Sequence, residues 1–308
     1  MTCRTRRFRV GWSGGSGTPG PSIDSAVIRI QVGWNVTPIR PKFSNPPLIE
    51  RAIGVAFDPL PSFSIGDYGL FWSELIGEFP LSEAMEPVSV EVEQFSEFRP
   101  AQASFQIVPA SVLPRAGFRN PATGELIQVQ PNRFGFNWIK TGVDHQYPHS
   151  EATFERFFHL LERFAGFVER RGYGPLSFVQ CELTNVNVIP VADVGESFVD
   201  IATVIRMPRM EISCAELRLE NQLIGAKHAI LDDGGNPIGR VHSLGQPTLR
   251  VEGDEQVYRL DIVARGAPIG AGVDGLKRFY EFAVTALNGV FLGSVTQAGR
   301  KFWGEHHG

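Results

Sequence analysis

The sequence predicts an α+β protein of two pseudo-repeated lobes, each a curved antiparallel sheet packed on one long helix. Three observations predict it. Residues 151–171 and 273–303 carry apolar side chains at helical spacing, and each closes a run of shorter segments in which apolar and polar residues alternate. Those shorter segments are separated by Gly, Pro, Asn and Asp clusters, the punctuation of antiparallel meanders. The two halves also share an outline of strand, short segment of helical character, several strands and a Phe-rich helix, which suggests a grip like that of a TATA-binding-protein-like or START-like lobe.

Three regions follow, residues 1–44, 45–173 and 174–308. The first holds Arg4, Arg6, Arg7 and Arg9 and a Gly/Ser/Pro run that lacks the Gly-Lys-Ser/Thr ending of a phosphate loop. Such composition buries too little surface to offset the entropy of ordering it, so a disordered extension is expected. Order should begin at Asn45-Pro46-Pro47, with a strand carrying Ile49, Ile53, Val55 and Phe57. Asp67 is expected to cap a short helix with Leu70, Phe71 and Leu75 at helical spacing and Pro80 beyond its end. Strands are expected at residues 88–98 and 101–108, followed by a hairpin in which Pro131-Asn132 turns the chain between Val129 and Phe134.

Ser150 is expected to cap the first long helix, whose stripe is Phe154, Phe157, Phe158, Leu161, Phe164 and Val168, and Gly172 to stop it in a left-handed conformation. Strands are then expected at residues 176–189, 198–206, 211–219, 226–231, 238–244 and 257–264, with Asp232-Asp233-Gly234-Gly235-Asn236 as a turn. The last helix buries Leu276, Phe279, Tyr280, Ala283, Leu287, Val290 and Phe291.

The chain has 308 residues, 43% of them hydrophobic, and a net charge of −4, so no global basic field supports general affinity for nucleic acid or anionic lipid. Cys3, Cys181 and Cys214 are odd in number and far apart, without CxxC spacing, which argues against a disulfide framework and a zinc site and for a cytoplasmic location. No apolar core of a secretory signal follows the basic start. The longest apolar stretch, residues 282–295, falls short of the ~18 residues of a membrane span, so a buried helix and no membrane partner are expected.

Candidate chemistry is sparse. Gly270-Ala271-Gly272-Val273-Asp274-Gly275 spells GxGxxG, but no parallel strand follows to complete a dinucleotide unit, so it is read as a glycine-rich entry to the helix, with no cofactor. Asp144, His145 and His149 share a loop in which Pro148 spoils His-x3-His geometry, and no metal is expected. No G-x-S-x-G elbow occurs, and Cys181 lies on the apolar phase of its strand beside Val179 and Leu183. Asp232-Asp233 lacks the further oxygens of a calcium loop.

Asn45-Pro46-Pro47-Leu48-Ile49-Glu50 with Ala52 and Phe57, the run Arg133-Phe134-Gly135-Phe136-Asn137-Trp138, Tyr147-Pro148, Gln180-Cys181-Glu182-Leu183 with Asn187, and Phe302-Trp303-Gly304 form an ordered set of short motifs. In order and spacing they resemble a sporadically distributed family of uncharacterised bacterial proteins, over residues 45–304. The resemblance implies no established activity, cofactor or catalytic residue.

The polar phase of the strands is the functional lead. Gln128, Gln130, Asn137, Gln180 and Glu182, with Thr184, are expected to project away from the helices as an open face rich in hydrogen-bonding groups. A bulge is expected to bring Asn185 and Asn187 onto that phase, with Val186 and Val188 taking over the apolar one. The leading expectation is a binding or accessory protein that holds a protein partner, a small polar ligand or a second copy of itself on this face. A hydrolase with a site between the lobes is the first alternative and requires Glu182 or Asp261 beside a His. Nucleic-acid binding by the open sheet is the second and requires Arg133, Arg206, Arg218 and Arg240 to converge there.

Overall fold

One antiparallel sheet of nine strands runs through both halves of the chain. The computed structural model describes residues 41–90, 92–95, 113–142, 147–208, 214–232, 234–250 and 253–306. The elements are β1 (Lys42–Phe43), β2 (Leu48–Phe57), α1 (Ile65–Ser73), β3 (Leu81–Met85), β4 (Arg115–Asn120), β5 (Glu125–Gln130), β6 (Arg133–Ile139) and α2 (Ser150–Arg170). They continue with β7 (Phe178–Pro190), 3-10 turns at Val191–Asp193 and Phe198–Thr203, β8 (Ile224–Leu231), β9 (Pro237–Leu249), β10 (Gln256–Gly266), α3 (Gly272–Ser294), α4 (Gln297–Phe302) and β11 (Glu305–His306).

The strand order is β3-β4-β5-β6-β2-β7-β10-β9-β8, and β1 and β11 pair separately. The chain is α+β, as its alternation and helical stripes predict. Each half lays the last strand of its meander beside its first, β6 against β2 and β10 against β7. Pairing of β2 with β7 joins the halves into a single sheet.

Helices α2 and α3 share one face of that sheet. Phe134, Phe57 and Phe71 gather around Phe164 of α2, with Phe134 stacked on it at 5.2 Å between centroids. Tyr280 of α3 packs against Phe154 and Phe157 of α2 and donates its hydroxyl proton to the Gly54 carbonyl oxygen at 2.7 Å, pinning the second helix to the central strand. Gly172 ends α2 at φ +79°. Its N–H bonds the Glu169 carbonyl and the Tyr173 N–H that of Val168, a left-handed stop that glycine adopts without steric penalty.

Several local expectations are corrected. Residues 88–90 and 92–95 form no ladder, and the rest of the expected strands at 88–98 and 101–108 lies outside the described residues. Phe198–Thr203 is a 3-10 turn rather than a strand, because Asp200 accepts the Ser197 N–H and hydroxyl protons and closes a capping box. Residues 214–219 are irregular. The last helix breaks at Val295, which is extended and bridges Ile205, before Thr296 caps α4 by accepting the Gly299 N–H at 2.9 Å. Ser64 is the N-cap of α1, and Asp67, inside the first turn, closes a capping box by accepting the Ser64 N–H at 2.8 Å while also tying that helix to Arg171 and Tyr173 at the end of α2. Ser150 is the first residue of α2 rather than its cap, and its hydroxyl oxygen is taken by Arg51.

Candidate binding face

Strand register assigns the faces. One row across the sheet holds Gln130, Arg133, Ala56 and Gln180, and the next holds Gln128, Gly135, Gly54, Glu182, Arg265 and Arg240. A third holds Asn137, Ala52, Thr184, Val263 and His242. All five residues singled out by the sequence, Gln128, Gln130, Asn137, Gln180 and Glu182, therefore share the face opposite the helices. Asn185 and Asn187 do not. Pairing of β7 with β10 is regular from Cys181 to Pro190, so these asparagines stay in phase with Leu183 toward the helices, and Val186 and Val188 face outward. The irregularity lies in β2, between Leu48 and Glu50.

The five residues are held in three ways. Glu182 is bracketed by two guanidiniums: Arg133 Nη2 donates to Oε1 at 2.7 Å and Arg265 Nε to Oε2 at 2.6 Å. Gly54 makes the first contact possible, since a Cβ there would lie 2.9 Å from Arg133 Nη2 as that side chain crosses β2. Burial pushes the Glu182 carboxyl upward, but the charges and hydrogen bonds of Arg133 and Arg265 outweigh it and leave the group below the usual range. Gln128 and Asn137 belong to a chain of side chains: Arg115 donates to Gln128 Oε1 at 2.6 Å, Gln128 to Asn137 Oδ1 at 3.0 Å, and Asn137 to a Glu50 carboxylate oxygen.

Gln130 and Gln180 hold the protein's own backbone. The Gln130 amide accepts the Val88 N–H at 2.9 Å and donates to the Val88 carbonyl at 3.0 Å. Gln180 Oε1 accepts the Glu93 N–H at 3.0 Å. The Glu93 carboxylate then reaches Arg240 at 2.5 Å and His242 Nε2 at 2.6 Å, while the Arg240 guanidinium stacks 4.5 Å from the Phe95 ring centroid. The spans agree: three strand spacings from β5 to β7 are about 14 Å, and the five-residue separation of Val88 and Glu93 can reach about 17 Å. Val88 and Glu93 are thus anchored across the open face as the two ends of a strap, with the Val88 N–H and carbonyl and the Glu93 N–H bonded by glutamine side chains instead of a ladder.

Glu93 and His242 were not among the predicted site residues, and Arg240 entered only through the nucleic-acid alternative. The signal for Glu93 is the alternation Val88, Val90, Val92 with polar residues between, which suits a strand and equally an extended segment lying on a surface.

Glu182 lies beside two arginines rather than a histidine, and Asp261 bonds Arg259 at 2.9 Å. Cys181 is fully buried on the helix side, where burial pushes its thiol up to about 12. No group of three His, Cys, Asp or Glu side chains among the described residues could hold a metal, and His145 lies outside them. Of the four arginines required to converge, Arg133 and Arg240 reach the face and are paired with carboxylates. Arg206 instead donates to the Val295 carbonyl, and Arg218 lies in the exposed segment before β8. No helix among the described residues is long and apolar enough to cross a membrane. No protein-family model, no curated protein and no solved structure matches the chain.

Proposed function

We propose that this protein acts by binding, and that its open sheet face holds an extended polypeptide, with the segment anchored at Val88 and Glu93 as the resident occupant. The observation that carries this is the paired hydrogen bonding of the Gln130 amide to both the N–H and the carbonyl of Val88. An amide that satisfies a donor and an acceptor of one residue reads backbone rather than side chain, so the same face suits other extended segments. The Arg240–Glu93–His242 cluster adds a preference for an acidic residue five positions beyond the Gln130 contact.

A variant in which residues 88–95 are replaced by a Gly/Ser segment of equal length tests this. A peptide of sequence EPVSVEVEQF is expected to bind that variant and not the intact chain. Gln130→Ala and Gln180→Ala in the variant background are each expected to weaken binding several-fold. A folded variant with no affinity for the peptide sinks the proposal. In the cell, partners captured by the variant but lost with Gln180→Ala and Glu182→Ala identify the competing segment.

A further inference from the structure

On the helix side of the sheet a buried cation, Arg51, stands in a mostly apolar strand beside the polar Asn185 and Asn187. Arg51 lies in β2 in phase with Ile53, Val55 and Phe57 and is 3% exposed. A guanidinium cannot shed its proton in a protein, so burial leaves it charged, and a buried charge is unfavourable without a partner of opposite sign. Its partners are neutral oxygens: Nε donates to Asn185 Oδ1 at 2.9 Å, and Nη1 to Ser150 Oγ at 2.7 Å and to the Tyr147 hydroxyl. The Tyr147 ring lies 4.9 Å from Cζ. No carboxylate among the described residues bonds this guanidinium, and Nη2 has no hydrogen-bond partner among them, although it is not sealed from solvent.

Arg51 lines a cavity of about 590 Å³ bounded by the start of β2, the N-terminus of α2, the C-terminal half of α3 and β1. Lys42 and Lys140 add positive charge to the wall, where Glu151 is the acid. His149, Ser150 and Glu151 all line the cavity, so it abuts the first turn of the 21-residue helix α2, where unpaired N–H groups favour an anion. Trp138, Phe43 and Phe291 supply apolar surface, with Trp138 edge-on to Tyr147 at 5.2 Å.

We propose that this cavity binds a small organic oxyanion, a carboxylate or phosphate on an apolar body about the size of an aromatic ring, with Arg51 as its charge partner. The oxyanion supplies the opposite charge that no described residue gives Arg51. A bare ion would leave most of the volume unfilled, whereas ~300–1,000 Å³ is the usual range for small-molecule sites. The site faces away from the strap and stands independently of the polypeptide-binding proposal.

Phenyl phosphate, benzoate and inorganic phosphate titrated calorimetrically into the full chain at fixed ionic strength test it. One of the two aromatic probes is expected to bind one-to-one and more tightly than inorganic phosphate. Tighter phenyl phosphate assigns a phosphate ligand and tighter benzoate a carboxylate. Arg51→Gln is expected to reduce affinity at least about 10-fold, the scale of a lost charged hydrogen bond. Lys140→Glu, on the cavity wall, is expected to reduce it several-fold with the fold intact by circular dichroism, and it carries the test alone where Arg51→Gln does not fold. Absence of binding by all three probes overturns the proposal. So does wild-type affinity in the variants that fold.

Discussion

Glu182 and Arg51 occupy neighbouring strands on opposite faces of one sheet, and their surroundings differ in charge balance. Glu182, 17% exposed, sits between two guanidiniums that take both of its oxygens. Arg51, 3% exposed, meets hydroxyls, an amide and a ring, and no carboxylate among the described residues. A buried charge with its counter-charges in place is a closed device whose removal strands its partners. A buried charge held only by neutral groups is incomplete until something anionic arrives. The difference marks the first as a clasp across β6, β2, β7 and β10 and the second as a receptor.

The largest expected effect breaks or confirms that contrast directly. Glu182→Ala removes the carboxylate that Arg133 and Arg265 share and is expected to lower the unfolding free energy in urea by about 3 kcal/mol. Arg51→Met strands no carboxylate among the described residues and is expected to change it by less than about 1 kcal/mol without ligand. Equal losses would end the distinction. Acid sharpens it further. Glu182 and Glu93 are both held below the usual carboxylate range: burial raises each, and Arg133 with Arg265, or Arg240 with His242, more than offsets it. A depressed folded pKa contributes stability that is present above the unfolded value of about 4.3 and lost as pH falls through the folded one. The urea midpoint of the wild type is therefore expected to fall between about pH 5 and pH 3, and Glu182→Gln to flatten that fall. An unchanged slope would show that the clasp carries no linked proton.

Much of this was legible in the sequence, and the failures share a cause. Alternation assigned Gln128, Gln130, Asn137, Gln180 and Glu182 to one face because the side-chain period of a strand is two and the pairing holds it. The same period misled at residues 88–90 and 92–95, which join no ladder, and where the Val88 N–H and carbonyl and the Glu93 N–H turn to glutamine side chains. Arg51 was visible as a cation within the apolar phase Ile49, Ile53, Val55, Phe57, but a lone charge there gives no hint of Tyr147 and Ser150, nearly a hundred residues away. The cavity itself was not legible, since it forms where the ends of β2, α2 and α3 meet in space.

Smaller effects separate the strap from the clasp beneath the same surface. Gln130→Ala removes both bonds to Val88 and is expected to speed hydrogen exchange at the Val88 and Glu93 amides by about 10-fold, with little change in global stability. Exchange unchanged at those amides would mean the strap is held by Glu93 alone.

The smallest effect tests whether Gly54 exists for the clasp. Its backbone is outside the left-handed region, so alanine is conformationally allowed there and gains ~0.4–1 kcal/mol through the unfolded chain. Against this, the added Cβ would meet Arg133 Nη2 at 2.9 Å and Cζ at 3.4 Å and push the guanidinium off its line to Glu182. Because the obstructing group is the tip of a flexible side chain, the net loss is expected to be only about 1 kcal/mol. In an Arg133→Met background the clash disappears, and Gly54→Ala should become neutral or stabilising. The double-mutant cycle should therefore give a coupling of about 1 kcal/mol, and zero coupling would mean that Gly54 serves the close packing of β2 between β6 and β7 rather than the passage of Arg133 over it.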